Sequence, residues 1–170
     1  YGHGIEWAVK TAIEGGVKWF AVAAINEAIK VRSVSDNVRI LLLTEPSLSE
    51  IDKIVSNNID LTVYNDFFIE GLKKSDNSFN THIKIDTGMH RVGCEPEDFQ
   101  KIYEKIESSE NINLAGICTH FPVADIEKEP TDISIKLFKD LISNIDTSDL
   151  LIHVDNSGST FYNFDPIFNL

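Results

Sequence analysis

The feature that most constrains this chain is a periodic one. Short apolar runs recur at residues 19–24, 38–43, 61–64, 82–86, 114–120 and 150–154, with helix-patterned segments between them. The intervals are roughly 20–35 residues, enough for a loop, a helix and a second loop. Continuous apolar strands joined by helices belong to a parallel sheet covered on both faces. The helices are predicted from spacing and punctuation. In residues 5–14, Ile5, Ala8, Val9, Ala12 and Ile13 recur at helical spacing, and Gly15-Gly16 follows. Further helices are predicted over 26–32, from Ser47 or Ser49 to about 55, from Asn65 or Asp66 to about 74, over 97–108 behind Pro96, and from Thr131 or Asp132 to about 145.

Residues at the strand ends choose between two parallel architectures. An open doubly wound sheet would carry a glycine fingerprint after its first strand, and Gly2-His3-Gly4 is too short to be one. A (β/α)8 barrel gathers the C-terminal ends of its strands at one mouth, where polar residues collect. Tyr64, the stretch from Asp86 to Arg91, His120, Asn156 and Ser157 stand at such ends. The expected fold is therefore α/β, an incomplete (β/α)8 TIM-type barrel with about six of eight strands present and the first and last missing. Residues 1–170 read as one partial domain of a longer chain, because both ends cut through patterned sequence.

A formal charge of −12 argues against a nucleic-acid partner, which would want a basic face. No apolar run reaches the length of a membrane span, and the start does not resemble a signal peptide, so a cytoplasmic protein is expected. Cys94 and Cys118 allow one disulfide, but two free thiols in a reducing compartment is the simpler reading. No His or Cys spacing supports a metal site, so no metal is expected.

The stretch from His82 to Gly93 carries the most chemistry. His82, Lys84 and Asp86 alternate with Ile83 and Ile85, which puts the three polar side chains on one face of a strand. Lys84 and Asp86 need partners there, and Arg91 in the following glycine-bounded loop is placed to fold back and supply one. Such a guanidinium suits an anionic group, and an ordinary salt-bridge cluster is the equal alternative. Asn156-Ser157-Gly158-Ser159 could cradle a phosphate or form a polar turn. His120 could stack on a ring, shuttle a proton or serve structure alone. His153, His3, His82 and His90 read as structural, and Asp125, Glu127 and Glu129 as a solvated loop edge.

Five stretches together resemble the alanine racemase family, whose barrel enzymes use pyridoxal 5'-phosphate (PLP). They are Tyr1-Gly2-His3-Gly4, Leu61-Thr62-Val63-Tyr64, the run from Lys84 to Gly93, the run from Thr119 to Asp125, and His153-Val154-Asp155-Asn156-Ser157. The resemblance implies PLP as cofactor, alanine as substrate, racemisation by two bases, D-alanine for peptidoglycan, and a homodimer. It implies that Tyr1 contacts the cofactor phosphate, with Asn156 and Ser157 beside it. Arg91 would reach the cofactor's phenolic oxygen and the substrate carboxylate. His120 would stack on the pyridine ring, Lys84 would be carbamylated, and His153 would stand behind the cofactor site. The family's covalent lysine would precede Tyr1, its pyridine-facing arginine would follow Leu170, and its catalytic tyrosine lies in a C-terminal β-domain. The 170 residues alone are therefore expected not to racemise. Two alternatives remain within the same cofactor class: a broad-specificity or serine racemase, and a PLP-binding barrel without catalysis.

Overall fold

The computed structural model describes residues 2–122 and 128–154. Six strands form one sheet: β1 Trp19–Val22, β2 Arg39–Leu42, β3 Asp60–Val63, β4 Phe79–Lys84, β5 Ile112–Cys118 and β6 Leu151–His153. Every neighbouring pair is parallel, and the order in space is the order in the chain. A doubly wound sheet reverses its order at a switch point, whereas a barrel winds one way throughout. The strand order therefore identifies six strands of an incomplete (β/α)8 barrel. α1 Ile5–Glu14 precedes β1, and between the strands run α2 Ile25–Val34, α3 Ile51–Ser56, α4 Asp66–Lys73, α5 Phe99–Glu107 and α6 Lys128–Ile142.

The register separates two chemistries. Paired residues on adjacent strands share a face. Trp19 pairs with Arg39, Leu41 with Asp60, Thr62 with His82, His82 with Gly116, Lys84 with Cys118, and Cys118 with His153. One face is thus largely polar. The other presents Ile40, Leu42, Leu61, Val63, Ile83, Ile85, Ile117 and Ile152 to the helices. These meet Ala28, Val31, Ile54, Phe68, Ile69, Leu72, Ile102, Ile106 and Phe138 in one core. Burial of that apolar surface is the main stabilising contribution, at about 25 cal/mol per Å² removed from water.

Several boundaries differ from the sequence expectation, most of all at β4, β5 and α6. β4 begins at Phe79 and ends at Lys84, and β5 begins at Ile112 and ends at Cys118. The polar residues at these strand starts find partners. Thr81 Oγ1 donates to Asn113 O at 3.0 Å, and Asn113 Nδ2 donates to Asn80 Oδ1 at 3.2 Å. α6 begins at Lys128, so Thr131 lies inside the helix, buried, and neither it nor Asp132 is the cap. Pro130 is tolerated because the first helical turn needs no backbone donors. Other signals stand as read. Asn65 caps α4 by accepting from Phe67 N at 2.8 Å, and Ser47 caps the 3-10 turn Leu48–Glu50 that leads into α3.

One arginine ties several chain ends together. Arg32, in the last turn of α2, donates to the carbonyls of Asn57, Asn58, Ser35, Asp36 and Val38 at 2.8–3.3 Å. These are C-terminal carbonyls of α3 and the turn entering β2, groups that regular structure leaves without partners. The guanidinium fork reaches all five, which an ammonium could not.

Candidate functional site

The site is built where β4 and β5 end. After Lys84 the chain turns through Asp86 to Gly93 and returns to pair at Cys94. Cys94 N donates to Lys84 O at 2.8 Å, and Asp86 N donates to Cys94 O at 2.9 Å. The return needs a glycine: Gly93 has φ 140°, and a Cβ there would lie 2.6 Å from Asp86 N. Asp86 closes the loop from inside, its Oδ1 accepting from Gly88 N at 2.9 Å and His90 N at 3.0 Å. Burial opposes the charge on Asp86, but these amide donors outweigh it and hold the carboxyl below its ordinary range. The expected Asp86–Arg91 partnership is therefore corrected: backbone amides take the carboxylate. Arg91 is exposed and makes no hydrogen bond among the described residues.

Three basic groups, Lys84, Arg91 and His120, lie within electrostatic reach of one another, with no hydrogen-bonded acid among the described residues. Lys84 is 6% exposed. Burial pushes its amine below the usual lysine range, and the nearby Arg91 charge adds to this. Its partner across the strand pair is Cys118, whose thiol burial raises to about 12, so no thiolate is available as counter-ion. His120, just beyond β5, is held below its ordinary value by burial, then by the Arg91 and Lys84 charges. A neutral imidazole, a buried amine and a free guanidinium together make a place for an anion.

Beneath them lies a chain of polar contacts. Arg39 stacks over Trp19 at 4.6 Å and pairs with the buried carboxylate of Asp60. His82 Nε2 lies 3.8 Å from Asp60 Oδ2, and His82 Nδ1 lies 3.0 Å from His153 Nε2. The carboxylate favours the His82 proton on Nε2, so Nδ1 accepts and His153 donates. Burial holds His153 neutral, with its pKa lowered to about 3, and the Lys84 charge adds to this. His82 reaches His153 across β5 only because Gly116 is there. A Cβ at Gly116 would lie 2.4 Å from His82 Nδ1. The register shift beside Thr81 and His82 is what sets Gly116 opposite His82.

Of the residues singled out from sequence, Lys84, Arg91 and His120 come together, and His153 lies below them against His82. Tyr1, Asn156 and Ser157, with Asp125 and Glu127, lie outside the described residues. Sequence reasoning missed Arg39, Asp60 and Gly116, and read His82 only by default. The alternation of His82 with Lys84 carried a signal for His82. The others stand singly in their own runs, and only the register unites them. Cys94 and Cys118 are free and buried. Among the described residues there is no His, Cys, Asp or Glu cluster fit for a metal, and no helix is long and apolar enough to cross a membrane.

Comparison with known proteins bears on this arrangement. Residues 1–170 match the family described as alanine racemase, N-terminal domain. An alanine racemase from Treponema denticola is 38% identical over an alignment 170 residues long that covers 94% of this chain and 45% of that protein. A solved alanine racemase from Clostridium difficile superimposes with a TM-score of 0.83 at 32% identity, covering 94% of this chain and 44% of that one. One from E. faecalis gives a TM-score of 0.87 at 28% identity, covering 95% and 46%. The chain spans a little under half the length of these relatives.

Proposed function

The chain belongs to the alanine racemase N-terminal domain family, and from that premise we propose that the complete protein carrying it interconverts L- and D-alanine with PLP. The observation that carries this reading is the meeting of Lys84, Arg91 and His120 without a hydrogen-bonded acid, on the polar face of a parallel barrel sheet. That donor set fits an anionic, planar cofactor and a carboxylate substrate.

His120 offers the imidazole face for the pyridine ring, and its suppressed charge avoids repulsion with Lys84 and Arg91. Tyr1, Asn156 and Ser157 hold the phosphate in this reading. Arg91 takes the substrate carboxylate and fixes which bond to the α-carbon is presented for proton exchange. When bound, PLP supplies the electron sink that acidifies the α-proton. Lys84, with its charge suppressed by burial, is nucleophilic toward carbon dioxide. Carbamylation adds the carbon to Nζ, releases one proton, and leaves a carboxylate to pair with Arg91. His82 and His153 brace the floor of the site from below. The barrel's place in residues 1–170, with a β-domain elsewhere in the complete protein, belongs to the same reading, as do homodimerisation and the supply of D-alanine for peptidoglycan.

Arg91→Ala in the complete protein tests the assignment. Loss of a charged carboxylate contact should raise KM for alanine at least about tenfold. An unchanged KM would remove Arg91 from substrate binding. Turnover of serine at the alanine rate would favour broad specificity, and PLP binding without turnover would favour a carrier.

A further inference from the structure

A run of buried hydroxyls links the two elements that carry Arg91 and His120. Ser134 Oγ, on α6, donates to Thr87 O at 2.7 Å. Thr119 Oγ1 donates to Ile85 O at 2.8 Å. Thr87 Oγ1 and Thr119 Oγ1 lie 2.7 Å apart. Each hydroxyl has one proton, and that of Thr119 is committed to Ile85 O, so Thr87 must be the donor between the two threonines. The order is then fixed: Ser134 to the Thr87 carbonyl, the Thr87 hydroxyl to Thr119, the Thr119 hydroxyl to the Ile85 carbonyl. Ser134, Thr87 and Thr119 are all buried, so water does not compete for these bonds.

The run lies where the Arg91 loop has freedom left. Asp86 and the Cys94 return make that loop rigid within itself. Nothing in those bonds sets its tilt against β5. Thr119 immediately precedes His120, and Thr87 opens the loop that carries Arg91. The Thr87–Thr119 bond therefore joins the two carriers directly, and Ser134 anchors the joint to α6. A β-carbon at Gly88 would lie only 3.7 Å from Ser134 Oγ, so helix and loop are already in close approach.

We propose that Thr119, Thr87 and Ser134 are positioning residues that set Arg91 and His120 at their working separation. The proposal rests on the functional reading above for what those two residues bind. Thr119→Val keeps the shape and removes the hydroxyl. In the complete, PLP-loaded protein it should raise KM for alanine at least fivefold while kcat falls less than threefold, since the carboxylate contact is lost and the chemistry is not. Thr119→Ser restores the hydroxyl and should return KM to within twofold of the wild type. Hydrogen exchange at the Gly88 and His90 amides, read without turnover, should quicken at least tenfold in the valine variant. If that variant does not fold, Ser134→Ala serves in its place, with KM raised at least twofold and kcat unchanged. A fall in kcat with KM and amide exchange unaltered would mean a loss of folded enzyme only, and would overturn the proposal, as would wild-type values throughout. A wild type that turns over no amino acid would instead overturn the functional reading, and amide exchange would still decide the positioning role.

Discussion

At the residue scale the site depends on how each of its charged groups is satisfied. Arg91 does not hold Asp86; the loop amides do, which leaves the guanidinium free for a ligand. His153 gives this scale its pH dependence. Its folded pKa is about 3, below its ordinary 6.5, because burial disfavours the charged ring. As pH falls below about 6.5, the unfolded chain takes a proton that the folded one refuses. Stability from this group is therefore complete above pH 6.5 and is lost progressively down to about pH 3, with a slope of at most about 1.4 kcal/mol per pH unit. Urea unfolding across that window should show a shallower acid loss in His153→Gln than in the wild type; identical slopes would contradict a neutral buried imidazole. Gly116 gives the steric counterpart. Gly116→Ala places a methyl against both His82 and Leu151 O, and should cost about 1–3 kcal/mol in unfolding free energy. An alanine variant as stable as the wild type would mean that His82 does not lie where the contact requires.

At the scale of elements, strand and helix existence was legible because each segment states its own period. Residues 5–14 announced α1 by spacing and by the glycine pair behind it, and Asn65 announced α4 by its cap. The starts of β4 and β5 were not legible. Asn80, Thr81 and Asn113 look like loop residues until they are paired with one another across strands. Arg32 is a similar case, since its five carbonyl partners come from two separate turns. Arg32→Ala should destabilise the protein by about 1–3 kcal/mol, because several part-buried carbonyls lose a charged donor at once. Arg32→Lys should recover less than half of that, since an ammonium cannot span the same fork. Thermal unfolding of the two variants reads this directly, and equal stability of lysine and arginine would contradict it.

At the scale of the whole molecule, six strands in chain order place one largely polar face against one apolar face. Only the apolar face was legible run by run. The polar face is assembled from single residues of different strands: Arg39, Asp60, His82, Lys84 and His153. Its continuity depends on register and on one bulge, neither of which leaves a local mark in sequence. The same register brings Lys84 and Cys118 together, with Arg91 and His120 near enough for their charges to act on one another and on Lys84. We propose that in the complete protein this face serves alanine racemisation with PLP. The measurement that tests it most directly is formation of D-alanine from L-alanine by the complete protein loaded with PLP, followed by chiral chromatography. The expected course is approach to an equal mixture from either enantiomer, with the rate strongly reduced in Arg91→Ala at low alanine. No interconversion by a folded, PLP-bound protein would contradict it.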